Sequence, residues 1–246
     1  MLKIDIENLL IVKKGTRLQP LTYGIPKPLL PVGGRPVIEY VIDNLKKCNS
    51  IKKIYIGISH MRDALEHYFN HVDYGIEIEL VRTLGWETAG DLKTIVIEKE
   101  ISEPAFIAYG DNITKLDSEN MCNFHKKNNK MGTVALFEVP LEDVSRFGVA
   151  DLDGNIVKNF VEKPTQAQAK SNKANAGYYI IEPEALEDLE LKKIKVEESL
   201  FPKLVKKQEL AGYVCKLPYW LDIGTIESYR KANKMMEGII PPSGSK

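Results

Sequence analysis

The chain has 246 residues, enough for one large α/β domain or two small ones, and 43% of them are hydrophobic. Its 34 Lys and Arg are matched by 34 Asp and Glu, a formal net charge of zero. That balance argues against a protein built to wrap nucleic acid, while leaving room for a local cluster of cations around a phosphate. No apolar run approaches the ~18 residues needed to span a bilayer. Cys48, Cys122 and Cys215 lie far apart with no CxxC pair, so neither a disulfide framework nor a zinc site is expected. The start, Met-Leu-Lys-Ile-Asp-Ile-Glu, carries acids where a secretory leader would be apolar. The expectation is a soluble, cytoplasmic protein with no nucleic-acid or membrane partner.

In chain order, Asn8 to Val12 reads as a buried strand. Pro36 to Cys48 has apolar residues at helical spacing and ends in a lysine pair that suits a helix C-terminus. Lys53 to Ile58 is a strand, Met61 to Asn70 a helix, and Ile76 to Val81 a strand of period two. Thr88 to Glu100 is a helix, and Pro104 to Tyr109 a strand that stops at Gly110-Asp111. Such alternation predicts a parallel sheet covered by helices on both faces. The second half changes character. Met131 to Val139 is a strand, and Phe147 to Leu152 and Ile156 to Glu162 flank Asp153-Gly154, a hairpin signal. Ala176 to Ile181 and Ala211 to Leu217 are strands; Glu197 to Gln208 and Ile226 to Met236 are helices. Thr165 to Lys173 is polar and linker-like, and no internal repeat is present. The expectation is one domain over 1–246, made of residues 1–115, a β-richer 116–236 and a frayed 237–246.

Chemistry concentrates in a few strings. Gly15-Thr16-Arg17-Leu18 follows the first strand, and ten residues after Arg17 comes Lys27, held between Pro26 and Pro28. A triphosphate needs backbone N–H donors from a loop, a bidentate cation and a point cation, and this segment supplies all three. The flanking prolines limit the backbone freedom of Lys27. Asp111 stands just past a buried strand, where open α/β sheets bind ligands, although a turn aspartate is the commoner role there. Asp222, in Trp-Leu-Asp-Ile-Gly-Thr, has a similar ordinary role as a turn former. Glu162-Lys163 ends a hairpin strand, with Asn175 on the next segment. A carboxylate and an amide suit vicinal hydroxyls and a lysine suits a phosphate, though an exposed strand end is the ordinary alternative. His67 and His71 are four apart on a helix but lack a third ligand in pattern. Lys126-Lys127 and Lys192-Lys193 read as solvated faces. Neither GxGxxG after the first strand nor GxxxxGK[ST] occurs.

GTRLQPLT followed by PKPLLPVGGRPVIEYVIDNL closely resembles the N-terminal signature of the sugar-phosphate nucleotidyltransferases. ETAGDL, AYGDN, FVEKP, NAGYY and YWLDIGTIESY resemble that family's later motifs, in its order and at its spacing. The resemblance implies a Rossmann-like α/β fold with a mostly parallel central sheet and a smaller β-rich sugar side. It implies a reaction that condenses a sugar 1-phosphate with a nucleoside triphosphate and releases pyrophosphate, with Mg²⁺ on Asp111 and Asp222. By the same resemblance, Arg17, Lys27 and Lys163 are catalytic. Val12, Gly15, Thr16, Arg82, Thr88, Ala89 and Gly90 lie on the nucleotide; Gly148, Glu162 and Asn175 lie on the sugar. The state of assembly, homo- or hetero-oligomer, is left open.

The chain departs from the family at Val12 and Lys13, where two glycines usually precede Gly-x-Arg. A β-branched Val and a long Lys there crowd the base and ribose side or redirect the loop. Arg82 stands where many relatives have Gln or Glu, and Glu87 where many have Gly. Two readings follow: an active transferase with altered base recognition, or an impaired relative that binds nucleotide or sugar phosphate and regulates an active partner. The retained Arg17, Lys27, Asp111, Lys163 and Asp222 favour activity, because buried charges without a task are costly.

Overall fold

A computed structural model describes residues 6–11, 15–237 and 239. The first half alternates as expected. Strand β1 (Ile6–Ile11) leads to a loop of short 3-10 turns, then to the two-residue strands β2 (Pro31–Val32) and β3 (Arg35–Pro36) and helix α1 (Val37–Leu45). After these come β4 (Ile51–Ile58), α2 (Arg62–Phe69), β5 (Glu77–Arg82), α3 (Glu87–Glu98) and β6 (Ala105–Tyr109). The second half runs β7 (Asn112–Thr114), α4 (Ser118–Asn128), β8 (Gly132–Glu138), β9 (Gly148–Asp153), β10 (Ile156–Glu162) and β11 (Lys173–Ile181). It closes with α5 (Val196–Lys207), β12 (Leu210–Val214), β13 (Trp220–Asp222) and α6 (Ile226–Glu237). No helix among the described residues is long and apolar enough to cross a membrane.

Helix α4 has no counterpart in the sequence reading. Its stretch, SENMCNFHKKN, offers few apolar residues at helical spacing. It forms because the Asp117 side chain caps it, accepting from the Asn120 N–H at 3.0 Å, and because Met121 and Cys122 bury against the sheet. The linker-like stretch ends earlier than its polarity suggests, since Lys173 already opens β11.

Nine strands form one sheet in the order β5-β4-β1-β6-β11-β8-β12-β10-β9. Pairing is parallel from β5 through β4 and β1 to β6, and again between β8 and β12. Every other pairing is antiparallel, so the sheet is mixed rather than mostly parallel. The reason is connectivity. A parallel neighbour needs a long crossover, whereas β9 and β10 are joined by the two residues Gly154 and Asn155, with Asp153 opposite Ile156. Gly154 takes the positive φ, 57°, that such a turn demands.

Helices cover both faces, and strand alternation divides the core between them. In β6, Ala105, Ile107 and Tyr109 join the cluster under α3 and α5, while Phe106 and Ala108 join the one under α1, α2 and α4. In β11, Tyr179 and Ile181 face the first side and Tyr178 and Ile180 the second. Each fully buried side chain of this size contributes about 1.5–3 kcal/mol through removal from water. Outside the main sheet, β7 pairs antiparallel with β13, and Asp222 lies opposite Asn112.

Candidate active site

Parallel strands leave a crevice at their carboxyl ends. Here the segments after β1, β4 and β5 converge on that end and enclose a cavity of about 560 Å³, a size typical of small-molecule sites. Gly15, Thr16, Arg17 and Lys27 line one side, Ser59, Gly85, Glu87 and Thr88 another, and Glu162 and Lys163 a third. Val12 and Lys13 lie outside the described residues.

Gly15 adopts φ 71°, and a Cβ there would sit 2.9 Å from the Lys27 Cβ and 3.0 Å from its Cδ. A glycine is therefore required for the loop to lie against the lysine stem. The Gly15 carbonyl accepts from the Leu18 N–H and the Thr22 hydroxyl, both at 2.9 Å, which fixes the turn that carries Arg17. Lys27 is 4% exposed and its ammonium forms an ion pair with Asp111. Asp111 follows β6, and its carbonyl accepts from the Ile223 N–H at 3.4 Å, beside the β7–β13 pairing. Asp111 and Asp222 are not among the residues lining the cavity; each stands behind a lining residue, Asp111 paired with Lys27 and Asp222 beside Gly224. A Cβ on Gly224 would lie 2.7 Å from Asp222 Oδ2 and 3.1 Å from Arg17 Nη2, so this glycine leaves room for both side chains at once.

On the base side, several expected ligand groups are already engaged. The Ala89 N–H donates to the Ile194 carbonyl at 3.0 Å. A Cβ on Gly90 would lie 2.4 Å from the Lys192 carbonyl oxygen. Ala89 and Gly90 therefore pack α3 against the segment before α5 and are not among the residues lining the cavity. Thr88 does line it, and its hydroxyl oxygen accepts from the Val196 N–H at 2.9 Å. Arg82 ends β5, exposed and away from the cavity lining. Asp91, missed in the sequence, lines the cavity and accepts from the Trp86 N–H at 2.9 Å; burial raises its carboxyl above the ordinary value. Glu87 and Lys163, both on the cavity wall, hold left-handed φ of 60° and 51°. Such conformations cost about 1 kcal/mol or more and concentrate at ligand sites.

On the third side, Gly148 permits a close approach: a Cβ there would lie 2.4 Å from Phe160 Cζ and 2.7 Å from Glu162 Oε2. Asn175 stands one layer back from the cavity. Its Oδ1 accepts from the Gly177 N–H and its Nδ2 donates to the Tyr179 hydroxyl, both at 2.8 Å. Asn175 thus supports its neighbours and is not among the residues lining the cavity. Tyr179 in turn donates to Glu197 Oε1 at 3.1 Å, as does Tyr109 at 2.7 Å. Burial first, and the Glu197 charge second, raise both phenols well above the usual tyrosine value, so they remain donors. Lys193, Lys195 and Glu197 all line the cavity. Only Lys192 of the lysine pair keeps the role of a solvated charge, bound to Glu190 at 2.6 Å. Glu197 gave no signal in the sequence, because an acid in the first turn of a helix is ordinary.

Burial raises the Glu162 carboxyl above the ordinary glutamate value; the Glu197 charge adds to this, and Lys163 and Lys195 oppose it. A carboxyl raised on folding binds more protons in the native state, so its contribution to stability falls as pH rises from the unfolded pKa through the folded one. Glu162→Gln is therefore expected to raise the melting temperature at pH 8, with the gain vanishing as pH falls below the ordinary glutamate range. Thermal melts of both proteins across pH check this; a gain that is equal at all pH values would refute it.

A nucleotidyl transferase family model matches residues 12–238. The chain belongs to the nucleotidyl transferase family. The chain is 32% identical over 216 residues to the mannose-1-phosphate guanylyltransferase catalytic subunit beta of Drosophila melanogaster, covering 85% of the chain and 57% of the fly protein. It is 31% identical over 241 residues to the UTP–glucose-1-phosphate uridylyltransferase of Synechocystis sp., covering 91% of the chain and 61% of that protein. The chain thus spans less than two thirds of the length of these relatives. Among solved structures, a UDP-glucose pyrophosphorylase complexed with UDP-glucose superposes with a TM-score of 0.80 at 25% identity, covering 96% of this chain and 99% of that one. A glucose-1-phosphate thymidylyltransferase from Bacillus anthracis shares the fold at a TM-score of 0.81 and 23% identity, covering 97% and 98%.

Proposed function

We propose that this nucleotidyl transferase, acting as one domain, joins a sugar 1-phosphate to a nucleoside triphosphate and releases pyrophosphate. The observation that carries the proposal is the convergence of Arg17, Lys27 and Lys163 on one cavity, with Asp111 paired to Lys27 and Asp222 beside Gly224 of its lining. Two anions must meet in this reaction, and a cavity ringed by cations is what lowers their repulsion. Relatives named for mannose 1-phosphate and glucose 1-phosphate support a hexose 1-phosphate as the acceptor.

A sugar 1-phosphate is a dianion near neutral pH, so one of its oxygens attacks the α-phosphorus without a general base. The new O–P bond forms in line as the bond to the β-phosphate oxygen breaks, and pyrophosphate carries the electron pair away. Arg17 and Lys27 hold the leaving side, Gly15 and Thr16 cradle phosphate, and Lys163 holds the attacking phosphate. Thr88 lies on the nucleotide and Glu162 on the sugar. Mg²⁺ takes hard oxygens from one or two carboxylates and completes its shell with phosphate and water. Asp111 and Asp222 fit that donor set, and the described residues form no cluster of three or more metal-ligating side chains that would suit a different ion. When bound there, the metal supplies positive charge to phosphate oxygens.

The test is pyrophosphate release with Mg²⁺, offering ATP, GTP, CTP, UTP and dTTP in turn against glucose 1-phosphate, mannose 1-phosphate and N-acetylglucosamine 1-phosphate. Turnover with one pair, lost in Asp222→Asn, is the expected result. A folded protein that binds a nucleotide yet releases nothing with any pair would overturn the proposal.

A further inference from the structure

Cys48 and Cys122 meet away from the cavity, on the sheet face covered by α1, α2 and α4. Cys48 stands in the turn after α1 and Cys122 within α4, 74 positions further along the chain. Each is 1% exposed, both belong to the same apolar cluster, and their sulfurs lie 2.7 Å apart. Hydrogen bonds hold the two segments together on both sides of the pair. The Ser118 hydroxyl donates to the Asn44 carbonyl, the Asn49 N–H to Glu119 Oε2 at 2.8 Å, and the Lys126 ammonium to the Ser50 hydroxyl at 3.1 Å. The backbone that carries the sulfurs is thus fixed before any bond forms. A disulfide needs that placement, because cysteines whose backbones stand or point apart cannot be bridged. Cys215 is the contrast: its thiol donates to the Leu136 carbonyl at 3.4 Å, and burial pushes it up to about 12.

We propose that Cys48 and Cys122 form a reversible redox pair whose disulfide staples α1 to α4, with a low-molecular-weight disulfide such as oxidised glutathione as the oxidant. The Cys122 thiol, by hydrogen bonding to the Cys48 sulfur, pulls Cys48 below the ordinary cysteine value; burial opposes this and the Ser50 N–H adds to it. Cys48 is therefore the attacking group. Its neighbours Lys46, Lys47 and Asn49 are exposed, so opening of this short turn brings it to solvent. The Cys48 thiolate attacks one sulfur of the oxidant, and one glutathione leaves as its thiolate. The Cys122 thiolate then attacks the Cys48 sulfur and displaces the second glutathione. The two cysteines lose two protons and two electrons in all, and the oxidant gains them as two thiols. The loop so closed is long, and the bond therefore removes much freedom from the unfolded chain. The layer it braces lies behind the cavity. The Val37 N–H of α1 donates to the Leu30 carbonyl, just after Lys27, and Asn44 Nδ2 donates to the Thr114 carbonyl of β7.

The experiment incubates the full chain with oxidised glutathione or with dithiothreitol, then unfolds it, alkylates the free thiols and weighs the intact protein. Oxidised wild type should take up one alkyl group, on Cys215, and reduced wild type three, one on each cysteine. A peptide map of the oxidised sample should join the Cys48 peptide to the Cys122 peptide. The oxidised protein should melt about 10 °C above the reduced one, and dithiothreitol should reverse the gain. Cys48→Ser should melt at one temperature under both conditions, whereas Cys215→Ser should keep the full response. Should Cys48→Ser fail to fold, Cys122→Ser is read in the same way. Three alkyl groups on oxidised wild type would show two packed thiols that stay reduced, and would overturn the proposal. So would a chain that stops with glutathione on Cys48, or a Cys48–Cys122 bond that leaves the melting temperature unchanged.

Discussion

Lys27→Met is expected to lower the melting temperature by about 10 °C and to cut pyrophosphate release at least ~100-fold. The two effects have separate causes. Lys27 and Asp111 form an ion pair with side-chain exposures of only 4% and 11%. Removing the cation leaves a nearly buried carboxylate beside an apolar chain, and breaking such a pair costs about 3 kcal/mol or more. Removing both charges costs much less, so Lys27→Met with Asp111→Asn should recover most of the lost melting temperature. Activity should not recover, because the ammonium that holds the leaving phosphates is still missing. Calorimetry on the two variants, beside a pyrophosphate assay, separates the effects. Equal melting temperatures in the single and double variants would show that the pair contributes nothing to the fold, and a Lys27→Met protein with undiminished turnover would remove Lys27 from the machinery.

Gly224→Ala should do the reverse, sparing the fold and removing the function. The added Cβ meets Asp222 Oδ2 at 2.7 Å, Asp222 Oδ1 at 3.1 Å and Arg17 Nη2 at 3.1 Å. These atoms are the far ends of flexible side chains, which can swing aside at little cost to stability. The backbone of Gly224 is not in the left-handed region, so alanine adds no strain there. The melting temperature should therefore move by no more than about 2 °C. On the proposed roles, however, swinging aside would take Asp222 from the metal and Arg17 from the phosphates together. The expected loss in kcat/KM is ~100-fold or more, with the Mg²⁺ concentration needed for half-maximal rate moved upward. An alanine variant with normal metal dependence would show that Asp222 does not hold the ion.

Of the motif residues, Gly15, Thr16, Arg17, Lys27, Thr88, Glu162 and Lys163 line one cavity. They were legible because a phosphate loop is a local object: a glycine at positive φ, a proline-flanked lysine and a strand before them all lie within a short stretch of chain. The same holds for the hairpin at Gly154, whose turn chemistry is local. Ala89, Gly90 and Asn175 are the opposite case. Their amides and missing side chains look available in the sequence, yet Ile194, Lys192, Gly177 and Tyr179 had already engaged them from elsewhere in the fold.

By itself the sequence determined the period-two strands, most of the helices and the cluster of cations with their glycines, since these depend on neighbours in the chain. It could not determine α4, which lacks apolar periodicity and exists because Asp117 caps it and the sheet covers Met121 and Cys122. Nor could it determine sheet direction in the second half, which connection lengths and partners decide together. The placing of Asp222 opposite Asn112, more than a hundred positions away in the chain, was decided by the register of β7 on β13. The bare oxygen of Glu197 was decided by two tyrosines from β6 and β11 that satisfy only its twin. Long-range register and the sharing of hydrogen bonds are properties of the packed chain, and only the tertiary structure could supply them.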